Sequence, residues 1–188
     1  MIKIGIVYFT NTDVTGQLVN AACEEVALQS TNVEVICHRI LGEEIQAGRF
    51  VNTAIMEELK SCNGIIFASP TYMGSVAAQF KAFADATSDF WESQQWSGKV
   101  AAGMTCGSGL NGDQATTLQY FMTLASQHGM LWVGLDAPFS DADKAINRLG
   151  CQLGVTAQSL DGSLDEVDLN SAKYLARRVL EISKKLAL

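Results

Sequence analysis

Apolar residues run along this chain in two alternating rhythms. Residues 2–9 form a near-continuous apolar run, the pattern of a strand covered on both faces. Residues 15–30 follow, with Leu18, Val19, Ala22, Val26 and Ala27 on one helical face. Val33 to Cys37 is a second β-branched run, Ile55 to Leu59 a short helix, and Gly64 to Ala68 a third buried strand. Val76, Phe80, Phe83 and Ala84 mark the next helix, and Lys99 to Thr105 the fourth strand. Leu118, Phe121, Met122 and Ala125 share a helical face, and Met130 to Leu135 predicts strand five. A last helix runs from about Asn170, burying Leu175, Ala176, Val179 and Leu186 and placing Lys184 and Lys185 against its negative end. No repeat, low-complexity stretch or linker interrupts residues 1–188, so one domain is expected.

Strand and helix thus alternate five times. Parallel strands joined by right-handed helical crossovers are the economical solution, giving a three-layer α/β sandwich with helices on both faces of the sheet. Such sheets bind ligands outside the C-terminal ends of their strands. The loops after strands one, three and four are therefore the places to search.

After strand one, Thr10-Asn11-Thr12-Asp13-Val14-Thr15-Gly16 runs directly into a helix. Its hydroxyls, its amide and the unpaired N–H groups of the helix start can hold a phosphate without Lys or Arg, although the same residues also serve as an ordinary N-cap. After strand three, Ser69-Pro70-Thr71-Tyr72-Met73-Gly74-Ser75 brackets an aromatic and a thioether between proline and glycine. That surface suits a planar ring, or is a plain strand-to-helix turn. After strand four, Thr105-Cys106-Gly107-Ser108-Gly109-Leu110-Asn111-Gly112 contains a literal G-x-G-x-x-G. A dinucleotide fold would need further βαβ units downstream, and the remaining residues hold one convincing helix, so the glycines are read as letting backbone approach a ligand. There is no G-x-x-x-x-G-K-[ST], and Ser69 ends strand three where a phospho-receiver would want aspartate.

Charge then narrows the partners. Thirteen Lys and Arg against twenty Asp and Glu give a net charge of −7, which disfavours nucleic acid and anionic membrane surfaces. No apolar run approaches the roughly 20 residues that span a bilayer, and the start of the chain lacks signal-peptide architecture. The five cysteines, Cys23, Cys37, Cys62, Cys106 and Cys151, are odd in number and form no CxxC, so they read as small core residues in a reducing compartment. A cytoplasmic protein without a metal site is expected.

With these loops in place, the chain resembles the flavodoxin-like FMN proteins, and within them the WrbA-type NAD(P)H:quinone oxidoreductases. The resemblance is carried by Ser69 through Gly74, Trp91 through Gly98, Gln127 through Met130, and the closing segment from Leu149. It implies a five-stranded parallel sheet in the order 2-1-3-4-5. It also implies FMN, with Thr10, Asn11, Thr12, Asp13, Val14 and Thr15 on the phosphate. Pro70, Thr71, Tyr72, Met73 and Gly74 would then line the ring edge. Thr105, Cys106, Gly107, Ser108, Gly109 and Leu110 would meet the ribityl chain and pyrimidine end. His128 and Trp91 would flank the open ring face, or serve as a helix C-cap and a fold anchor.

Asp13 departs from the family pattern, which usually has glycine there. A carboxylate about 6 Å from a phosphate charge costs on the order of 3 kcal/mol at an effective dielectric near 20. Either it points to solvent or FMN is held weakly.

The resemblance implies two-electron transfer from NAD(P)H to a quinone by a ping-pong mechanism, with His128 able to donate a proton to the quinone oxygen. It further implies a homo-oligomer, dimer or tetramer, for which Phe90, Trp91 and Trp96 in a short irregular segment are the expected contact. The alternatives are a flavodoxin-type electron carrier, whose acidity would suit docking to basic partners, and a binding module that has lost the flavin.

Overall fold

The computed structural model describes residues 1–29 and 32–187. In chain order the elements are β1 (Ile2–Tyr8), α1 (Val14–Leu28), β2 (Val33–Arg39), β3 (Ile45–Gln46), β4 (Arg49–Phe50), α2 (Thr53–Lys60), β5 (Gly64–Tyr72), β6 (Ser75–Val76) and α3 (Ala78–Ala86). There follow β7 (Val100–Gly107), α4 (Asp113–Gln127), β8 (Leu131–Trp132), β9 (Val155–Gln158) and α5 (Glu166–Leu186). Ser30, the last residue of the expected first helix, lies outside the described residues.

Strand parity builds the layers. Ile65 and Phe67 of β5 face a core made with Phe80 and Phe83 of α3 and Leu118 and Phe121 of α4. Ile66 and Ala68 face the opposite side, against Leu18 and Val19 of α1 and Leu175 and Val179 of α5. Because both faces are covered, the central strands β5 and β7 are almost wholly buried, whereas β2 at the sheet edge mixes apolar residues with Glu34, His38 and Arg39. The strands run parallel in the order β2-β1-β5-β7-β8, which is 2-1-3-4-5 among the core strands. The short hairpin β3–β4 forms a separate two-stranded sheet, and β6 pairs with β5 off this main path.

The fifth strand differs from the expectation. Only Leu131 and Trp132 pair with β7, opposite Val100 and Ala101. Val133 still donates its N–H to the Ala101 carbonyl, but Leu135 donates to Gln152, and the chain leaves the sheet. β9 returns to the same edge opposite Met104 to Gly107. The inserted segment between is organised by Asn147, whose amide nitrogen donates to the carbonyls of Ala137 and Pro138 while its oxygen accepts the Cys151 N–H. Gly134 and Gly154 make the crossover possible, since a Cβ on Gly134 would lie 2.1 Å from the Gln152 carbonyl oxygen and one on Gly154 2.5 Å from that of Gly103.

Smaller corrections follow from packing. The last helix starts at Glu166, where the Asp165 carboxylate caps the Val167 N–H at 2.8 Å. Ala27 and Leu186 are exposed, and Val76 sits in β6 rather than on a helix. Trp96 is fully buried, Phe90 is nearly so, and Trp91 alone of the three aromatics is half-exposed. One copy therefore buries most of the segment that was expected to need a partner. Among the described residues no helix is long and apolar enough to cross a membrane.

β7 owes its place to small residues. A Cβ on Gly103 would lie 2.7 Å from Phe121, 2.9 Å from Trp132 and 3.2 Å from Leu118. Gly103→Ala should therefore destabilise the protein by about 1–3 kcal/mol, the usual cost of overpacking. Gly42→Ala, where a Cβ meets nothing within 4 Å, should stay within about 0.5 kcal/mol of the parent. Urea unfolding of the two variants checks the pair.

Candidate functional site

The loops after β1, β5 and β7 converge at the C-terminal ends of the strands, and the loop after β9 joins them. Together they enclose a cleft of about 640 Å³. Thr10, Asn11, Thr12, Val14 and Thr15 line it from the first loop, Pro70, Thr71 and Tyr72 from the second, and Cys106, Gly107 and Ser108 from the third. The fourth wall, Ser159, Leu160, Asp161 and Gly162, was not foreseen. Its signal in the sequence was the short run Val155-Thr156-Ala157 ahead of a polar, glycine-bearing turn. Asp13, Met73, Gly74, Thr105, Gly109 and Leu110 lie outside the lining residues. Met73 and Leu110 are instead exposed apolar side chains, as are Tyr72 on the wall and Leu160 opposite.

Asp13 carries the left-handed turn that opens α1, with φ 65°, and its side chain makes no capping bond. The first N–H groups of the helix are thereby left free of a side-chain acceptor. The carboxylate folds back over Gly16, so that a Cβ there would sit 2.1 Å from Oδ1. Aspartate thus keeps the turn while its charge lies outside the cleft wall. Among the described residues, none lining the cleft is Lys or Arg. The Arg39 guanidinium approaches from behind, donating to the Thr10 carbonyl at 3.1 Å.

Hydroxyl groups lock the other two loops. Thr105 Oγ1 donates to the Ser69 carbonyl at 2.7 Å, so its one proton is used. It must then accept from Thr71 Oγ1 at 2.8 Å, and Thr71 in turn accepts from Thr117 at 2.8 Å. The relay runs Thr117 to Thr71 to Thr105 to Ser69, and it consumes the Thr71 and Thr105 hydroxyls internally. Ser69 Oγ accepts the Ala77 N–H and fixes the far side of the turn. Thr15 Oγ1 lies 3.1 Å from Cys106 Sγ, and burial pushes the Cys106 thiol up. That cysteine is a packing residue and not a nucleophile.

Two glutamines tie the glycine loop to β9. Buried Gln114 donates to the Gly109 carbonyl at 2.7 Å and accepts the Ala157 N–H at 3.2 Å. Gln158 donates to the Ser108 carbonyl at 3.0 Å, while its N–H goes to the buried Asp168 carboxylate. Arg148 compensates that carboxylate through two hydrogen bonds, at 3.1 and 2.6 Å. Backbone approach at Gly107 and Gly109 is therefore fixed by side chains that sequence motifs did not single out.

Trp91 and His128 are brought together, but not with the cleft. They line a second pocket of about 310 Å³ with Thr87, Tyr120 and Gln127. α4 starts beside the glycine loop and ends at His128, and its 15 residues span about 22 Å. The pair thus sits at the opposite end of the sheet within one copy. His128 is the C-cap of α4, ahead of Gly129 in the left-handed region. Thr87 Oγ1 spends its proton on the Ala84 carbonyl, so it accepts from His128 Nε2 at 2.8 Å. Nδ1 is then bare, buried and without a partner among the described residues, and desolvation lowers the ring's pKa. Burial thus favours the uncharged imidazole, and its ring is almost fully covered in one copy.

Comparison with known proteins agrees with this architecture. Residues 11–143 match the family model described as NADPH-dependent FMN reductase. The chain is 38% identical to a protein named flavodoxin FldP from Pseudomonas aeruginosa, over 99% of both chains. It is 35% identical to an NAD(P)H dehydrogenase (quinone) from Archaeoglobus fulgidus, over 69% of this chain and 64% of the relative. The crystal structure of a flavodoxin, WrbA-like protein from Agrobacterium tumefaciens superposes with a TM-score of 0.77 at 31% identity, covering 98% of this chain and 99% of the other. With a 2-1-3-4-5 parallel sheet and a family match over most of its length, this chain belongs to the flavodoxin-like, NADPH-dependent FMN reductase family.

Proposed function

We propose that the cleft holds FMN and that the protein transfers two electrons from NAD(P)H to a quinone. The observation that carries the reading is the pairing of an uncapped helix start with an exposed apolar rim across one cleft. The open N–H groups of α1, with Thr10, Asn11 and Thr12, would hold one phosphate by neutral donors and the helix dipole. Pro70, Thr71 and Tyr72 on one side and Gly107 and Ser108 on the other would hold the ring and chain, largely through backbone because the threonine hydroxyls are already committed. Leu160 would close the remaining wall. A cleft of about 640 Å³ suits a mononucleotide and offers one phosphate cradle, which favours FMN over FAD. Bound there, FMN would supply the two-electron chemistry, and the chain would supply binding and orientation.

The donor and the acceptor share one opening in this reading, so they enter in turn and the kinetics are ping-pong. His128 caps the far end of α4 and Trp91 lines the same second pocket, so neither is placed at its own cleft. We therefore assign them to the cleft of a neighbouring copy in a homo-oligomer, where Trp91 offers a stacking face and His128 lines the same pocket. The half-exposed Trp91 is the aromatic that one copy leaves uncovered.

A second reading has its own support. The relative named as a flavodoxin and the net charge of −7 favour an electron carrier that docks to a basic partner. Turnover separates the two. With bound FMN, the enzyme should oxidise NAD(P)H in the presence of benzoquinone and give parallel steady-state lines, and Trp91→Ala should lower quinone kcat/KM at least about tenfold while FMN stays bound. Retained FMN with negligible NAD(P)H oxidation would favour the carrier, and intersecting lines would mean that the substrates do not alternate.

Thr12 tests the phosphate cradle. Thr12→Glu places a carboxylate beside the bound phosphate, costing about 3 kcal/mol per unit charge at roughly 6 Å, or on the order of 100-fold in FMN affinity. A fluorescence titration that returns the parent affinity would place the phosphate elsewhere.

A further inference from the structure

Three of the five cysteines are buried, and the remaining two are on neighbouring elements. Cys23 is partly buried on α1 and Cys37 is exposed on β2. Strand parity fixes where Cys37 points. Val33 and Val35 of β2 pack against the core shared by α1 and α5, and Cys37, two residues on, continues their face. Its register partner in β1 is Ile6, which is buried in that same core. On the helix, Val19 and Val26 flank Cys23 at i−4 and i+3, and all three pack on this core. The two thiols therefore lie on facing surfaces of the α1–β2 contact, near enough for each to perturb the other's titration.

We propose that Cys23 and Cys37 form a peroxide-responsive dithiol, a redox modification site outside the cleft that closes reversibly to a disulfide. Cys37, the exposed member, attacks. Its thiolate displaces one oxygen of hydrogen peroxide, giving a sulfenic acid and, after proton transfer, one water. The Cys23 sulfur then attacks the sulfenic sulfur, its proton leaves with the hydroxyl, and a second water departs as the S–S bond forms. Two thiols and one peroxide thus yield one disulfide and two waters. Their proximity fits the division of labour, because Cys23 pulls the Cys37 thiol down while Cys37 and burial push Cys23 up. Glu24 beside Cys23 adds negative charge on that side, and the Tyr8 hydroxyl is the nearby polar group from β1. Cys62, Cys106 and Cys151 are buried, and desolvation raises each of their thiols, so they are poor competitors for peroxide.

The test counts thiols in the intact, FMN-loaded protein. After brief exposure to a small excess of hydrogen peroxide, the denatured protein should titrate as three free thiols instead of five, and dithiothreitol should restore five. Peptide mapping should find one linked pair, Cys23 to Cys37, within a single chain. In Cys23→Ser the Cys37 sulfenic acid should persist long enough to be captured by dimedone, whereas Cys37→Ser should keep all four of its thiols under the same exposure. Five thiols after peroxide, a bridge between two chains, or oxidation that falls first on another cysteine would overturn the proposal.

Discussion

The contact of α4 with β7 at Gly103 governs more of this molecule than any other single approach. Phe121, Leu118 and Trp132 occupy the space that a side chain at Gly103 would need, and the Gly103 carbonyl in turn meets Gly154 at the crossover into β9. β7 can therefore be covered by a helix, paired with β5 on one edge, and shared by β8 and β9 on the other. The same strand delivers Cys106 and Gly107 to the cleft, so the packing constraint sets the position of one wall. Moving α4 outward would shift the glycine loop at its start and His128 at its end together.

The cleft is held in shape by polar side-chain groups that are committed to one another and to the backbone. The hydroxyl relay from Thr117 to Ser69 locks the loops after β5 and β7, and the two glutamines bind the glycine loop to β9. The buried Asp168 carboxylate would be costly alone, and Arg148 from the inserted segment compensates it. The insertion therefore supports the fourth wall of the cleft. In the proposed reading, a site preorganised in this way would bind an anion through backbone N–H groups and a helix dipole, without Lys or Arg in the cleft lining.

Much of this was legible in the sequence, because burial on both faces gives parallel strands a continuous apolar signature and helices a 3.6-residue one. The first four core strands and the helices between them follow from that alone. Strand five was placed correctly but made too long, since Met130 to Leu135 has the composition of a strand while close approach at Gly134 turns the chain out of the sheet after Trp132. The three loops were found from topology, and Thr10, Asn11, Thr12, Pro70, Thr71, Tyr72, Gly107 and Ser108 do line one cleft. Ser159 to Gly162 escaped because their strand is short and follows an insertion. Trp91 and His128 were joined to the cleft by resemblance, and no periodicity reveals that a helix of 15 residues carries His128 to the opposite end, into the pocket that Trp91 also lines. Gln114 and Asp168 read as ordinary helix residues until their partners are seen.

The central claim is that one phosphate at the start of α1 anchors the cofactor. It is tested most directly by comparing FMN with riboflavin, which has the same ring and ribityl chain but no phosphate, in parallel fluorescence titrations. Charge-assisted bonds to the helix N–H groups and the dipole together predict that FMN binds at least about 100-fold more tightly. Equal affinities for the two would contradict the account, because the phosphate would then contribute nothing at the cradle from which the rest of the site is built.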